Sequence, residues 1–181
     1  MGVLLLTSLV EEFELALLLE SRDERNDAML RRVLRFVRLP LVMLVLFAIG
    51  RFSLGLAKVP YAPRGNAIFS IVVLAIVSSI YFGALSGKVG GFSWSGAILT
   101  GVVIGFFAQL LIFSATLATY LGGLDTYFIH WDALNIPEGT TITMSQALGK
   151  RAGGLIAGPI TTMVAALIGR CLAALAPECH S

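Results

Sequence analysis

Asp125, His130 and Asp132 fall within eight residues of one another, set among Tyr127, Phe128 and Trp131. Two carboxylates and an imidazole form a ligand set that suits a divalent metal. The competing reading is an aromatic belt at a membrane edge, with Tyr120, Tyr127 and Trp131 in the interface and the acids facing water. The belt is the commoner use of such residues, and no metal is expected here. The other histidine is His180, so a haem held by two histidines within a bundle is excluded, although His130 stays open as a ligand for a single pigment or metal. No further cofactor is expected beyond bound lipid.

Two arginines stand inside otherwise apolar stretches, Arg51 and Arg170. Placing Arg at the centre of a bilayer costs about 2.5–3.5 kcal/mol even on the lenient insertion scale, so each needs a reason. Both side chains are long enough to reach an interface. Other partners open to them are a lipid phosphate or an ion pair with a partner chain, since no acid shares their spans. That lack of intramembrane acids argues against a proton-coupled pump. Gln109, Ser114, Thr116 and Thr119 offer a polar line along one span, for a path or for hydrogen bonds between helices.

The elements that must carry these groups are set by composition. Of 181 residues 57% are hydrophobic and 13% charged, against roughly 45–50% and about 25% in soluble domains. A helix needs about 20 apolar residues to cross the hydrocarbon. Four stretches qualify, at 39–57, 67–86, 95–118 and 152–176. Pro60, Pro63 and Gly65 break the chain after the first, and Gly87 to Gly91 break it after the second. The expected fold is an all-α integral membrane protein of four transmembrane helices in two hairpins. An amphipathic N-terminal segment at 1–38 precedes a membrane domain at 39–181, with an outer loop at 122–151. Thr143 and Gln146 have the spacing of a capping box, so the last helix is expected to begin there, before the hydrocarbon. Pro159 is expected to kink it.

The segment at 1–38 holds six arginines and seven acids, the remainder seven basic residues and four acids. Met29, Leu30, Val33, Leu34, Phe36 and Val37 share one side of a helix, with Arg31, Arg32, Arg35 and Arg38 on or bordering the other. Such a helix either lies on an anionic lipid surface and turns at Pro40, or extends the first span beyond the membrane. Upstream, Leu6, Val10, Phe13 and Leu17 make a stripe that calls for a partner surface. Arginines near the first span place the N-terminus, and with it the C-terminus, in the cytoplasm, against the opposing evidence of Lys150 and Arg151. A bacterial cytoplasmic membrane is the expected setting. No cleaved signal is expected, and Leu6 where Ser or Thr is required argues against myristoylation. Cys171 and Cys179 make no disulfide framework.

Small residues recur at intervals of four: Gly83, Gly87 and Gly91; Ala97, Gly101 and Gly105; Gly154 and Gly158; then Ala165, Gly169 and Ala173. Small side chains let helix backbones approach in lipid, within one bundle or between chains. Catalytic triads, phosphate loops and nucleic-acid surfaces find no support in the residues present. The expected function is a non-catalytic accessory or scaffold subunit of a larger membrane complex, with other subunits, self-association and anionic lipid as its contacts and no nucleic acid. Its rivals are a small oligomeric channel or transporter, and a lipid-handling protein using Arg51 or the Asp125, His130, Asp132 group.

Overall fold

A computed structural model describes residues 26–59, 69–140 and 142–175. The stripe at 4–19, the turn at 60–65 and the Cys179–His180 tail lie outside these residues. Helix α1 occupies 26–36. It is followed by α2 (Arg38–Leu56), α3 (Ile71–Lys88), α4 (Trp94–Leu121), a 3-10 turn (Tyr127–Ile129) and α5 (Met144–Leu175). Helices α2 to α5 are each long and apolar enough to cross a membrane. The chain is an all-α integral membrane protein.

Local chemistry sets the boundaries. Pro40 has no N–H for the carbonyl of Phe36, and its ring pushes on that turn. The backbone answers at Val37, which leaves the helical well at φ −92°, ψ 10°. The ladder nevertheless bridges the break, with Val37 N donating to Val33 O at 2.9 Å and Leu41 N to Val37 O at 3.1 Å. Hydrogen bonding thus continues from α1 into α2 across Val37. Val33 and Val37 are fully buried, and the Phe36 ring meets Phe82 and Phe92 edge to face at 5.3 Å each. Arg31, Arg32, Arg35 and Arg38 stay exposed.

The second span starts at Ile71, because the Ser70 hydroxyl accepts from Val73 N at 3.4 Å and caps it. The last starts at Met144 inside a reciprocal cap: Thr143 N donates to Gln146 Oε1 at 3.1 Å, and Gln146 N donates to Thr143 Oγ1 at 3.4 Å. Helix α5 runs unbroken across Pro159 to Leu175, and Thr162 donates its hydroxyl to Gly158 O and Pro159 O.

Helices α3, α4 and α5 form the close-packed centre. A Cβ built on Gly83 would strike the Ala166 backbone, one on Gly169 the carbonyl of Ile80, and those on Gly101 and Gly105 the α5 segment from Gly158 to Met163. Ala97 is fully buried. Helix α2 lies against this centre through larger side chains, with Leu44 and Ala48 buried and Phe47 and Phe52 partly so. Three buried threonines of α4 are satisfied within that helix: Thr100 on Gly96 O, Thr116 on Ile112 O and Thr119 on Ala115 O, each at 2.8 Å.

Candidate functional site

The segment after α4 folds back into the bundle end. Gly122 ends α4, and Gly123 takes φ +59°, which a side chain would resist. The chain then returns along α4, and the hydroxyls of Thr119 and Thr126 meet at 2.8 Å. Gly55 of α2 makes room for this return, since a Cβ there would stand 3.0 Å from the Thr126 backbone. Tyr127 and Phe128 are thereby driven inward, to 4% and 2% exposure, and the Tyr127 hydroxyl donates to Val59 O. Tyr127 therefore fills the space between α2 and α4 instead of lying on the bundle surface. Tyr120 is half-buried and donates to Ile142 O at 3.0 Å, while Trp131 lies half-buried beside the His130 ring at 5.2 Å.

This plug brings two arginines of distant sequence to one cavity. Arg51 of α2 lies over the Tyr127 ring at 5.7 Å, and Arg151 of α5 donates from Nη2 to Phe128 O at 3.0 Å. Both line a cavity of about 210 Å³ with Ser70, Ile112, Tyr127 and Phe128 among its walls. No acidic residue lines it among the described residues. Guanidinium groups match phosphate oxygens through paired N–H donors. Sequence reasoning singled out Arg51 and read Arg151 only as an orientation charge. The capping box held the missing signal, because a helix starting at Met144 places Arg151 two turns inside it.

Asp125, His130 and Asp132 do not assemble into a metal centre. Asp125 and His130 border a different opening, shared with Lys58, and the backbone N–H of Asp132 donates to His130 Nδ1 at 3.4 Å. No group of three His, Cys, Asp or Glu residues able to hold a metal occurs among the described residues.

At the opposite end the link between α3 and α4 is clasped from two sides. Arg32 donates to Gly90 O at 2.8 Å with its guanidinium 4.9 Å from the Phe92 ring centre. Arg170 donates to Phe92 O at 3.2 Å and lies 5.7 Å from the Trp94 ring. Gly87 leaves room for that guanidinium, and Gly91 takes φ +60° in the turn. Arg170 thus reaches toward the helix end and finds specific partners there.

Gln109 lies midway along α4, across α5 at Gly154 and Gly158, where a Cβ at Gly154 would stand 2.8 Å from its Oε1. Thr116 and Thr119 are buried, and Ser114 is exposed on the helix exterior. Comparison with protein-family models, with curated proteins and with solved structures found no match.

Proposed function

We propose that this is a lipid-handling membrane protein that holds the phosphate of an anionic amphiphile between Arg51 and Arg151. The observation that carries the reading is that guanidiniums from α2 and α5, a hundred residues apart in sequence, converge on one cavity. Their depth is consistent with it. Arg51 lies five residues before the end of α2 and Arg151 seven after the start of α5, or roughly 8–10 Å inside the helix ends at 1.5 Å per residue. From that depth the long arginine side chain reaches back to the hydrocarbon edge, where phosphates lie. The basic residues of α1 and of the α3–α4 link favour the cytoplasm for the opposite end. The cavity then opens toward the outer leaflet of a bacterial cytoplasmic membrane.

The test is the lipid that stays with the protein through mild-detergent purification. Arg51→Gln is expected to lower retained anionic phospholipid at least tenfold, whereas Lys88→Gln, exposed at the end of α3, leaves it unchanged. Equal retention by both would sink the reading. Arg151→Gln also loses the bond to Phe128 O, so its melting curve must accompany its lipid content.

A second reading, an accessory subunit of a larger assembly, is favoured by α2. Its outward face presents Leu39, Val42, Leu46 and Ile49, all more than half exposed. Only 17% of its apolar window is buried, against 44% for α4. A stoichiometric partner that co-purifies and is lost on Leu46→Ala with Ile49→Ala would support it, and a chain that always runs alone would end it.

A further inference from the structure

We infer that the amphiphile is a diacyl glycerophospholipid and that Gln109 donates to one of its ester carbonyls, an inference that rests on the phosphate position assigned to Arg51 and Arg151. The arginine cavity has a continuation. Val72 of α3 borders it and also borders a second crevice of about 170 Å³ between α3, α4 and α5. Passing from the first to the second, α3 steps from Val72 to Ile76, α4 from Ile112 to Gln109 and α5 from Arg151 to Gly154. All three helices move inward together, by three or four residues or about 5 Å of rise. The crevice is thus the membrane-ward extension of the arginine cavity.

Its walls are mostly apolar, and its polar feature at that depth is the Gln109 carboxamide. The hydroxyls beside it are already engaged, Thr161 on Ala157 O at 2.9 Å and Thr162 on Gly158 O at 2.9 Å. The carboxamide is half-buried and makes no hydrogen bond with any described residue. A donor in such surroundings favours any ligand that brings an acceptor to it. With a phosphate between the arginines, the ester carbonyls of a glycerophospholipid lie one glycerol deeper, a step similar to that from Ile112 to Gln109. A prenyl phosphate carries only hydrocarbon at that depth, and free phosphate does not reach it. The acyl chain then follows the crevice past Ile76 and Ala157.

The experiment titrates the delipidated full-length protein in detergent, read by native mass spectrometry, with three probes. These are dioleoyl phosphatidylglycerol, its diether analogue with the same head and chains, and inorganic phosphate. The diester is expected to bind about threefold to tenfold more tightly than the diether, the weight of one hydrogen bond. Gln109→Leu is expected to bind both at the diether level. Equal binding of diester and diether by the unaltered protein overturns the role of Gln109 without depending on any variant's folding. Displacement of the lipid by equimolar inorganic phosphate overturns the diacyl assignment. If Arg51→Gln binds the diester as tightly as the unaltered chain, the phosphate assignment itself fails and this inference with it.

Discussion

The guanidinium of Arg170 fills the space that a Cβ on Gly87 would need and donates to the carbonyl oxygen of Phe92 at 3.2 Å. A charge from the last span is thereby spent on the link between the second and third. The carbonyl it reaches follows the end of α3, where helix hydrogen bonding has run out, and the Trp94 ring adds a second favourable surface.

Arg170→Leu is expected to lower stability by about 1.5–3 kcal/mol, the range for a hydrogen bond to a charged donor. Arg170→Lys keeps the charge but not the planar fork, and should recover less than half of that loss. Thermal unfolding in detergent gives the ranking, and hydrogen exchange at residues 89–93 gives the location. A lysine variant as stable as the native chain would show that charge alone is what the position needs.

The glycines of α3 and α5 should divide sharply by position. Gly83→Ala drives a methyl group into the Ala166 backbone, which has no flexible end to move aside. It is expected to cost about 1–3 kcal/mol as overpacking. Gly153 has nothing within 4 Å of a built Cβ, so Gly153→Ala should be neutral or stabilising by up to about 1 kcal/mol through helix propensity. Paired melting curves test the contrast. Similar effects at both positions would mean that the close approach of α3 to α5 is not what Gly83 serves.

Much of this arrangement is legible in the residues, and the parts that are not share a cause. The four spans follow from runs of apolar residues, and the start of α5 from the reciprocal chemistry of Thr143 and Gln146, because both signals are local. Nothing local distinguishes Tyr127 from a belt tyrosine. Its burial depends on Gly55, 72 residues earlier, leaving room for Thr126. The meeting of Arg51 with Arg151 is likewise a product of helix packing across 100 residues of sequence. Asp125, His130 and Asp132 show the converse, since closeness in sequence did not bring their side chains to a common centre.

Thr143→Ala removes the hydroxyl that accepts from Gln146 N. Loss of an N-cap of this kind costs about 0.5–2 kcal/mol. Because the first turns of α5 carry Arg151, fraying there should also raise hydrogen exchange from residue 144 to about 150 and weaken retention of anionic lipid. Thr143→Ser keeps an acceptor and should restore both. If the alanine variant exchanges no faster than the native chain, the cap contributes nothing to holding Arg151 in place.

Ser79 is expected to be a position where a smaller, less polar residue improves the protein. Its side chain is fully buried in α3, and its Oγ has no hydrogen-bond partner among the described residues. Buried threonines of α4 and α5 donate to carbonyls one turn back in their own helices, which shows the arrangement that Ser79 does not adopt. A buried hydroxyl without a partner costs about 1–3 kcal/mol of desolvation. Ser79→Ala removes that cost and gains a little helix propensity, at the expense of a void smaller than a methyl group. The net expected change is a stabilisation of about 0.5–2 kcal/mol, seen as a higher midpoint in thermal or denaturant unfolding. Ser79→Val has the opposite sign, because the added carbon has no room beside a fully enclosed side chain. A destabilised alanine variant would mean that the hydroxyl bonds a carbonyl in the membrane, and infrared shifts of an isotope-labelled Ala75 carbonyl would identify it.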